Sequence, residues 1–162
     1  LVPADIAMSL EIVGEGPGRG RLERFVAAHR MGGWVNLPGR VTRDELRQMY
    51  AAADIYVAPA PLESFGIAAL EARTVGLPVV GRWGSGLQEF VRDGLNGYLA
   101  ADDEAMAGAL ARLITDEELR GSMAAYNLGT PPAQSWARIL DVAEAEYRRA
   151  IALAGSAART GL

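Results

Sequence analysis

Short apolar runs alternate with amphipathic segments along most of this chain, and this alternation restricts the fold more than any other feature of the sequence. Strands are predicted at residues 8–13, 34–37, 54–58, 78–81 and 98–99. Each run is followed by a turn, and apolar residues then recur at helical spacing. Strands separated by helices form βαβ units, so we predict an α/β fold, a Rossmann-like doubly wound parallel sheet with helices on both faces.

The length of the chain suits one domain. It has 162 residues, half of them apolar, which is enough for a sizeable core. We expect a single Rossmann-like domain over residues 1–154 and a flexible tail over residues 155–162, where small residues dominate. The sequence opens on Leu1 rather than on an initiating methionine, and we expect it to be part of a longer protein.

Composition excludes several classes of function. Cysteine is absent and His29 is the single histidine, so we expect no disulfide, no iron–sulfur cluster and no zinc or non-haem iron site. The net charge of -4 argues against nucleic acid as a partner, because neutralising its phosphates requires a basic face. No signal peptide and no apolar run long enough to span a membrane occur, so we expect a cytoplasmic protein. All basic residues are arginine, so any phosphate must be bound by arginine or by backbone amides.

Residues 58–78 predict a phosphate-binding turn. An apolar strand there runs into a proline-rich turn, and Gly66 opens the helix that follows. Amides at a helix N-terminus lack partners within the helix, and the helix dipole favours negative charge beside them. These are the amides of Ser64, Phe65 and Gly66. We therefore expect a phosphate group at this turn.

Two acids beside the turn, Glu63 and Glu71, would repel a phosphate unless they bind another part of the ligand. Glu71 lies among small and apolar helix residues, so its carboxylate needs partners. Ionised carboxylates only accept hydrogen bonds, which suits a ligand rich in hydroxyl groups. From Gly66 to Glu71 a helix rises ~7.5 Å, comparable to the step from a diphosphate to a ribose. The pattern therefore indicates a nucleotide sugar.

Four loops are expected to meet at one edge of the sheet, because ligands of such sheets bind at the carboxyl ends of the strands. These loops are residues 14–18, 39–42, 62–66 and 84–86. The first contains Gly14-x-Gly16-x-Gly18, but Arg19 occupies the place of the last glycine of a dinucleotide fingerprint. A flexible turn and a loop that lines another phosphate ligand remain alternatives for it.

Several stretches, taken together and in order, match a known family. They are Ile12-Val13-Gly14-Glu15-Gly16-Pro17, Leu37-Pro38-Gly39-Arg40-Val41, Glu63-Ser64-Phe65-Gly66-Ile67-Ala68-Ala69-Leu70-Glu71-Ala72, Gly76-Leu77-Pro78-Val79-Val80 and Glu89-Phe90-Val91-Arg92-Asp93-Gly94-x-x-Gly97. Over residues 9–115 the sequence resembles the C-terminal, donor-binding domain of retaining GT-B glycosyltransferases of family GT4.

The resemblance implies retaining transfer of a hexose from a nucleoside-diphosphate sugar to an acceptor, without a required metal or cofactor. Glu63 would be the catalytic residue, which holds hexose hydroxyls and supports the reacting face of the sugar. Glu71 would bind the ribose diol, Arg40 and Val41 would border the base, and the loop from Gly14 would lie on the diphosphate side. The implied donor-binding residues are Gly14, Gly16, Arg40, Val41, Ser64, Phe65, Gly66, Ile67 and Glu71.

The resemblance also implies parts that this chain lacks. The family's first strand, which carries the arginine and lysine that neutralise the diphosphate, and its N-terminal acceptor domain would both precede Leu1. We therefore expect the chain alone to be inactive and to bind a donor weakly at best. We also expect the acceptor domain of the same protein to be its partner, and any peripheral contact with the inner face of a membrane to involve absent segments. A non-catalytic GT-B-like scaffold and a GT-B sugar-nucleotide epimerase relative remain alternatives. The family's G-G-x-P-E loop reads Ser85-Gly86-Leu87-Gln88-Glu89 here, which leaves the contacts of that loop open.

Overall fold

The computed structural model describes residues 6–134 and 136–160 and confirms the predicted order of strands and helices. The elements are β1 (Leu10–Val13), α1 (Arg19–Ala28), β2 (Val35–Gly39), α2 (Arg43–Ala52), β3 (Tyr56–Ala58), α3 (Ile67–Thr74), β4 (Val79–Arg82), a 3₁₀ turn (Gly86–Glu89), β5 (Gly97–Ala100), α4 (Asp103–Thr115), α5 (Glu117–Gly129) and α6 (Trp136–Thr160). The backbone of α6 continues into the predicted tail, whereas residues 161 and 162 lie outside the described residues.

The chain forms two compact units, Leu1–Gly129 and Thr130–Leu162. The first unit contains β1 to β5 with α1 to α5, and the second contains α6. The extent of the predicted domain, residues 1–154, stays a prediction. No helix in the described parts of the chain is long and apolar enough to cross a membrane.

All strand pairs are parallel, as the α/β prediction requires. Hydrogen bonding divides the strands into two ladders, β1–β2 and β3–β4–β5. In the second ladder Tyr56 lies opposite Val79, which lies opposite Gly97. Within the described residues β1 and β3 do not pair, so the sheet predicted as continuous is interrupted between them. The carboxyl ends of β3, β4 and β5 lie at one edge, where the loops that follow them begin.

The core lies on both faces of the β3–β4–β5 ladder. Val79 and Val80 are neighbours in β4, so their side chains point to opposite faces, and both are 0% exposed. Val79 belongs to a buried cluster with Ala69, Leu87, Phe90 and Val91. Val80 belongs to a second cluster with Ala100, Met106, Leu113 and Met123. Burial from both sides explains why β4 reads as a continuous apolar run rather than an alternating one.

Two helices begin at capping side chains. Glu45 donates its amide to Thr42 Oγ1 at 3.2 Å and accepts the Thr42 amide at Oε2 at 2.6 Å, which completes a capping box at α2. The Thr42 amide lowers the pKa of the Glu45 carboxyl from its ordinary value. At α4 the carboxylate of Asp102 accepts the amide of Ala105 at 2.8 Å.

Candidate functional site

The turn between β3 and α3 is closed by the side chain of Glu63. Its Oε1 accepts hydrogen bonds from the amides of Phe65, at 3.1 Å, and Gly66, at 2.9 Å. Gly66 is the N-cap of α3 and has a φ of 87°, in the left-handed region that favours glycine. Two of the amides that the sequence assigned to a phosphate therefore donate to a carboxylate of the same turn.

Other amides at the start of α3 precede the first hydrogen bond within the helix. The ladder begins where the amide of Leu70 donates to the carbonyl of Gly66 at 2.9 Å. Ile67 and Ala68 precede that bond, are exposed, and lie at the positive end of the helix dipole. Ser64 is also exposed. The amides of these exposed residues can take an anion without displacing Glu63.

Two tyrosines join the two predicted acids into one cluster. Tyr50 comes from α2 and Tyr56 from β3, and their ring centroids are 6.1 Å apart. Burial raises the pKa of Tyr50 to about 12, and electrostatic repulsion from Tyr56 and Glu71 adds to this effect. Burial also raises the pKa of Tyr56, and the charges of Glu63 and Glu71 add to this effect. Glu63 and Glu71 therefore share Tyr56 as a neighbour.

The sequence analysis gave neither tyrosine a functional role, although Tyr56 falls within the strand predicted at residues 54–58. The Tyr50 hydroxyl also donates to the carbonyl of Ala68 at 3.2 Å, so it contacts α3 directly. A tyrosine with one polar end near an acid differs little in sequence from a core tyrosine. The sequence feature that could have indicated a role for Tyr50 is its position in the helix directly before the strand that leads into the turn.

The predicted residues near β1 and β2 form a second group. The amide of Gly14 donates to the carbonyl of Gly39 at 2.8 Å, which joins the loops after the two strands. Arg19 donates to Glu15 Oε1 at 3.1 Å and to the carbonyl of Leu37 at 2.9 Å, which supports the same junction. Both glycines have positive φ, 126° and 80°, so side chains are disfavoured at the junction.

The remaining members of this group flank the junction. Gly16 belongs to the loop after β1 and is exposed. Arg40 is exposed and Val41 is half-buried directly after β2. The structure therefore brings Gly14, Gly16, Arg40 and Val41 together around β1 and β2, and Glu63 to Ile67 with Glu71 together around β3 and α3.

Arg82, at the end of β4, is engaged in holding the site's supporting loops. Its Nε donates to the carbonyl of Pro59 at 3.2 Å, and its guanidinium pairs with Asp103 at the start of α4. Ser85 donates its hydroxyl to the Arg82 carbonyl at 2.7 Å. Across residues 6–134 and 136–160, no group of three or more histidines and acids is arranged to hold a metal ion.

Comparison with protein families gives one match over most of the chain. The family model described as Glycosyl transferases group 1 matches residues 3–128. A D-inositol 3-phosphate glycosyltransferase from Mycolicibacterium vanbaalenii is 36% identical over 144 residues, which cover 84% of this chain and 32% of that relative. The chain therefore spans about a third of the length of this relative.

Solved structures with the same fold include two transferases. The sucrose-phosphate synthase from Thermosynechococcus elongatus is similar with a TM-score of 0.80 and 28% identity, over 90% of this chain and 39% of that protein. The pneumococcal O-GlcNAc transferase GtfA, solved in complex with UDP and GlcNAc, is similar with a TM-score of 0.67 and 28% identity, over 75% of this chain and 25% of that protein.

Proposed function

This chain belongs to the glycosyl transferases group 1 family, and we propose that it is the donor-binding domain of a retaining enzyme that transfers a hexose from a nucleoside-diphosphate sugar to an acceptor. The observation that carries this proposal is an amide-rich helix start with one acid on each side of it, Glu63 in the turn and Glu71 in α3. The complex of GtfA with UDP and GlcNAc supports a nucleotide sugar as the ligand class. The acceptor domain of the same protein is the proposed partner in catalysis.

We propose that the donor phosphate binds at the start of α3. The amides of Ile67 and Ala68 lie at the positive end of the helix dipole, which favours a doubly charged leaving group. With the amide of Ser64 they hold phosphate oxygens while Glu63 keeps its two bonds to Phe65 and Gly66. The acids do not oppose the phosphate in this arrangement, because the carboxylate of Glu63 is already neutralised in part by two amides.

Glu63 is the proposed contact for the hexose. Its Oε1 is fixed by the amides of Phe65 and Gly66, so its Oε2 takes the free acceptor role toward sugar hydroxyls. Fixing one oxygen orients the other before the sugar arrives, which reduces the entropy lost on binding. Glu71 accepts the two ribose hydroxyls further along α3.

The other donor contacts come from the group around β1 and β2. Gly14 and Gly16 border the diphosphate, where a bare backbone permits a close approach. Arg40 and Val41 border the base, one through its charge and one through its apolar side chain. We propose that neither a metal nor a cofactor takes part in donor binding.

The proposed reaction replaces one bond at the anomeric carbon by another on the same face. The bond from the anomeric carbon to the β-phosphate oxygen breaks, and its electron pair stays on the phosphate. The acceptor hydroxyl attacks, and its proton passes to the leaving phosphate oxygen. The start of α3 stabilises the charge that develops on that phosphate, while Glu63 holds the sugar in place.

The test is a calorimetric titration of the chain with UDP-glucose, GDP-mannose and ADP-glucose. We expect one of the three donors to bind, and Glu71→Gln to weaken that binding by about tenfold. Glu104→Gln is the matched control, because Glu104 is an exposed helical acid that belongs to α4 and not to the turn or α3. Donor binding by Glu71→Gln at the unmodified affinity would refute the ribose contact. A full-length protein that binds donor but transfers no sugar would support the scaffold alternative.

A further inference from the structure

The side chain of Leu87 fills the space beneath the turn that carries Glu63. Leu87 is 0% exposed. Its Cδ2 lies against Gly66 and its Cδ1 against Gly81, so close that a Cβ at either glycine would overlap it. Leu87 is therefore wedged between the N-cap of α3 and the middle of β4, in contact with both backbones.

The backbone beside Leu87 is attached to the same turn. The amide of Gly86 donates to the carbonyl of Glu63 at 2.8 Å. A Cβ at Gly86 would overlap the carbonyl of Ser64 and lie 2.7 Å from Cα of Phe65, so a side chain at this position is excluded. The loop after β4 therefore contacts the turn at two points, through the side chain of Leu87 and through the backbone of Gly86.

An aromatic pair extends this contact. The ring of Phe65, in the turn, meets the ring of Phe90 edge to face, with centroids 5.7 Å apart. Phe90 lies at the end of the 3₁₀ turn that begins at Gly86, and its amide donates to the carbonyl of Leu87 at 3.1 Å. The segment from Gly86 to Phe90 thus forms a floor against which the turn is packed.

We propose that Leu87 is a positioning residue, which holds the turn in the orientation that lets Glu63 and the start of α3 bind the donor. Its contact at Gly66 fixes the residue whose amide orients the Glu63 carboxylate. Removing the methyl groups of Leu87 allows Gly66 to move, and the Glu63 carboxylate then loses its fixed orientation. This inference rests on the proposed function of the turn and extends it to a residue that does not contact the donor.

The test compares Leu87→Ala with Leu113→Ala. Leu113 is a matched control, because it is also 0% exposed but belongs to the core cluster on the opposite face of β4. Amide hydrogen exchange, followed by NMR, reports on Phe65 and Gly66 without any ligand. Calorimetric titration with UDP reports on donor binding. Leu87→Met is the conservative variant, since it restores volume with a flexible side chain.

We expect Leu87→Ala to speed exchange at Phe65 and Gly66 about tenfold more than Leu113→Ala does, and to weaken UDP binding by about tenfold relative to that control. Leu87→Met should restore both quantities in large part. Equal effects of the two alanine variants on exchange at Phe65 and Gly66 would overturn the positioning role.

Two further outcomes keep the inference separate from the proposed function. Failure of the unmodified chain to bind UDP would count against the proposed donor site, and the exchange measurement would still decide the role of Leu87. If Leu87→Ala does not fold, Leu87→Val and Leu113→Val are compared by the same two readouts, and equal exchange rates at Gly66 again overturn the inference.

Discussion

Replacing Glu63 by alanine or by glutamine separates its role in the turn from its role toward the donor. Alanine removes both hydrogen bonds that Glu63 Oε1 accepts, from Phe65 at 3.1 Å and from Gly66 at 2.9 Å. A hydrogen bond to a charged group contributes ~1.5–3 kcal/mol, and loss of an N-capping side chain costs ~0.5–2 kcal/mol. Because Glu63 is half-buried, water replaces part of that loss. We expect Glu63→Ala to lower the free energy of unfolding by about 1–2 kcal/mol.

Glutamine keeps a carbonyl oxygen where Oε1 accepts the two amides, so Glu63→Gln should cost less than about 1 kcal/mol of stability. Its amino group, however, stands where Oε2 is proposed to accept sugar hydroxyls. Both variants should therefore weaken binding of the donor sugar by about tenfold or more. Urea denaturation measures the first quantity and calorimetric titration the second, with Glu104→Gln as the control for charge.

Two results would refute this reasoning at different points. Unchanged stability of Glu63→Ala would mean that the carboxylate does not close the turn. Donor binding by Glu63→Gln at the unmodified affinity would mean that Oε2 does not accept sugar hydroxyls, and the catalytic assignment of Glu63 would fail with it.

Three further predictions concern the elements around the site. Gly66→Ala should destabilise the chain by about 1–2 kcal/mol or more in a urea titration, because its φ is 87° and a Cβ would meet Leu87. Thr42→Ala should cost about 1 kcal/mol in the same assay by removing the capping box, and Thr42→Ser should not. Burial raises the pKa of Tyr50 to about 12, so stability should fall as pH rises from the ordinary tyrosine pKa toward 12, and less so in Tyr50→Phe. An unchanged pH dependence in Tyr50→Phe would contradict that assignment.

Local features of the sequence were sufficient for the order of elements and for the helix caps. Thr42 and Glu45 are three residues apart, and the capping box depends on little beyond that spacing. The apolar run Val79-Val80 indicated a buried strand because burial on both faces removes the need for alternation. The division into two ladders was not predictable, because pairing between strands is decided by residues distant in sequence.

The site shows a similar division. The sequence placed Glu63 beside the amides at the start of α3, and the family match over residues 3–128 confirms the resemblance on which its role was inferred. Sequence could not show which way the Glu63 side chain turns, and in the structure it binds the amides that had been assigned to phosphate. Sequence likewise could not show that the Tyr50 hydroxyl bonds to the carbonyl of Ala68 in α3, because that contact joins elements distant in sequence.

The central claim, that a nucleotide-sugar donor binds at the turn between β3 and α3, is tested most directly by NMR titration of the chain with UDP-glucose. The account predicts that the amide signals of Ser64, Ile67 and Ala68 shift with saturation, while the amides of Phe65 and Gly66 keep their protection from exchange through Glu63. Saturable binding that leaves all five amide signals unmoved, and shifts signals elsewhere, would contradict it.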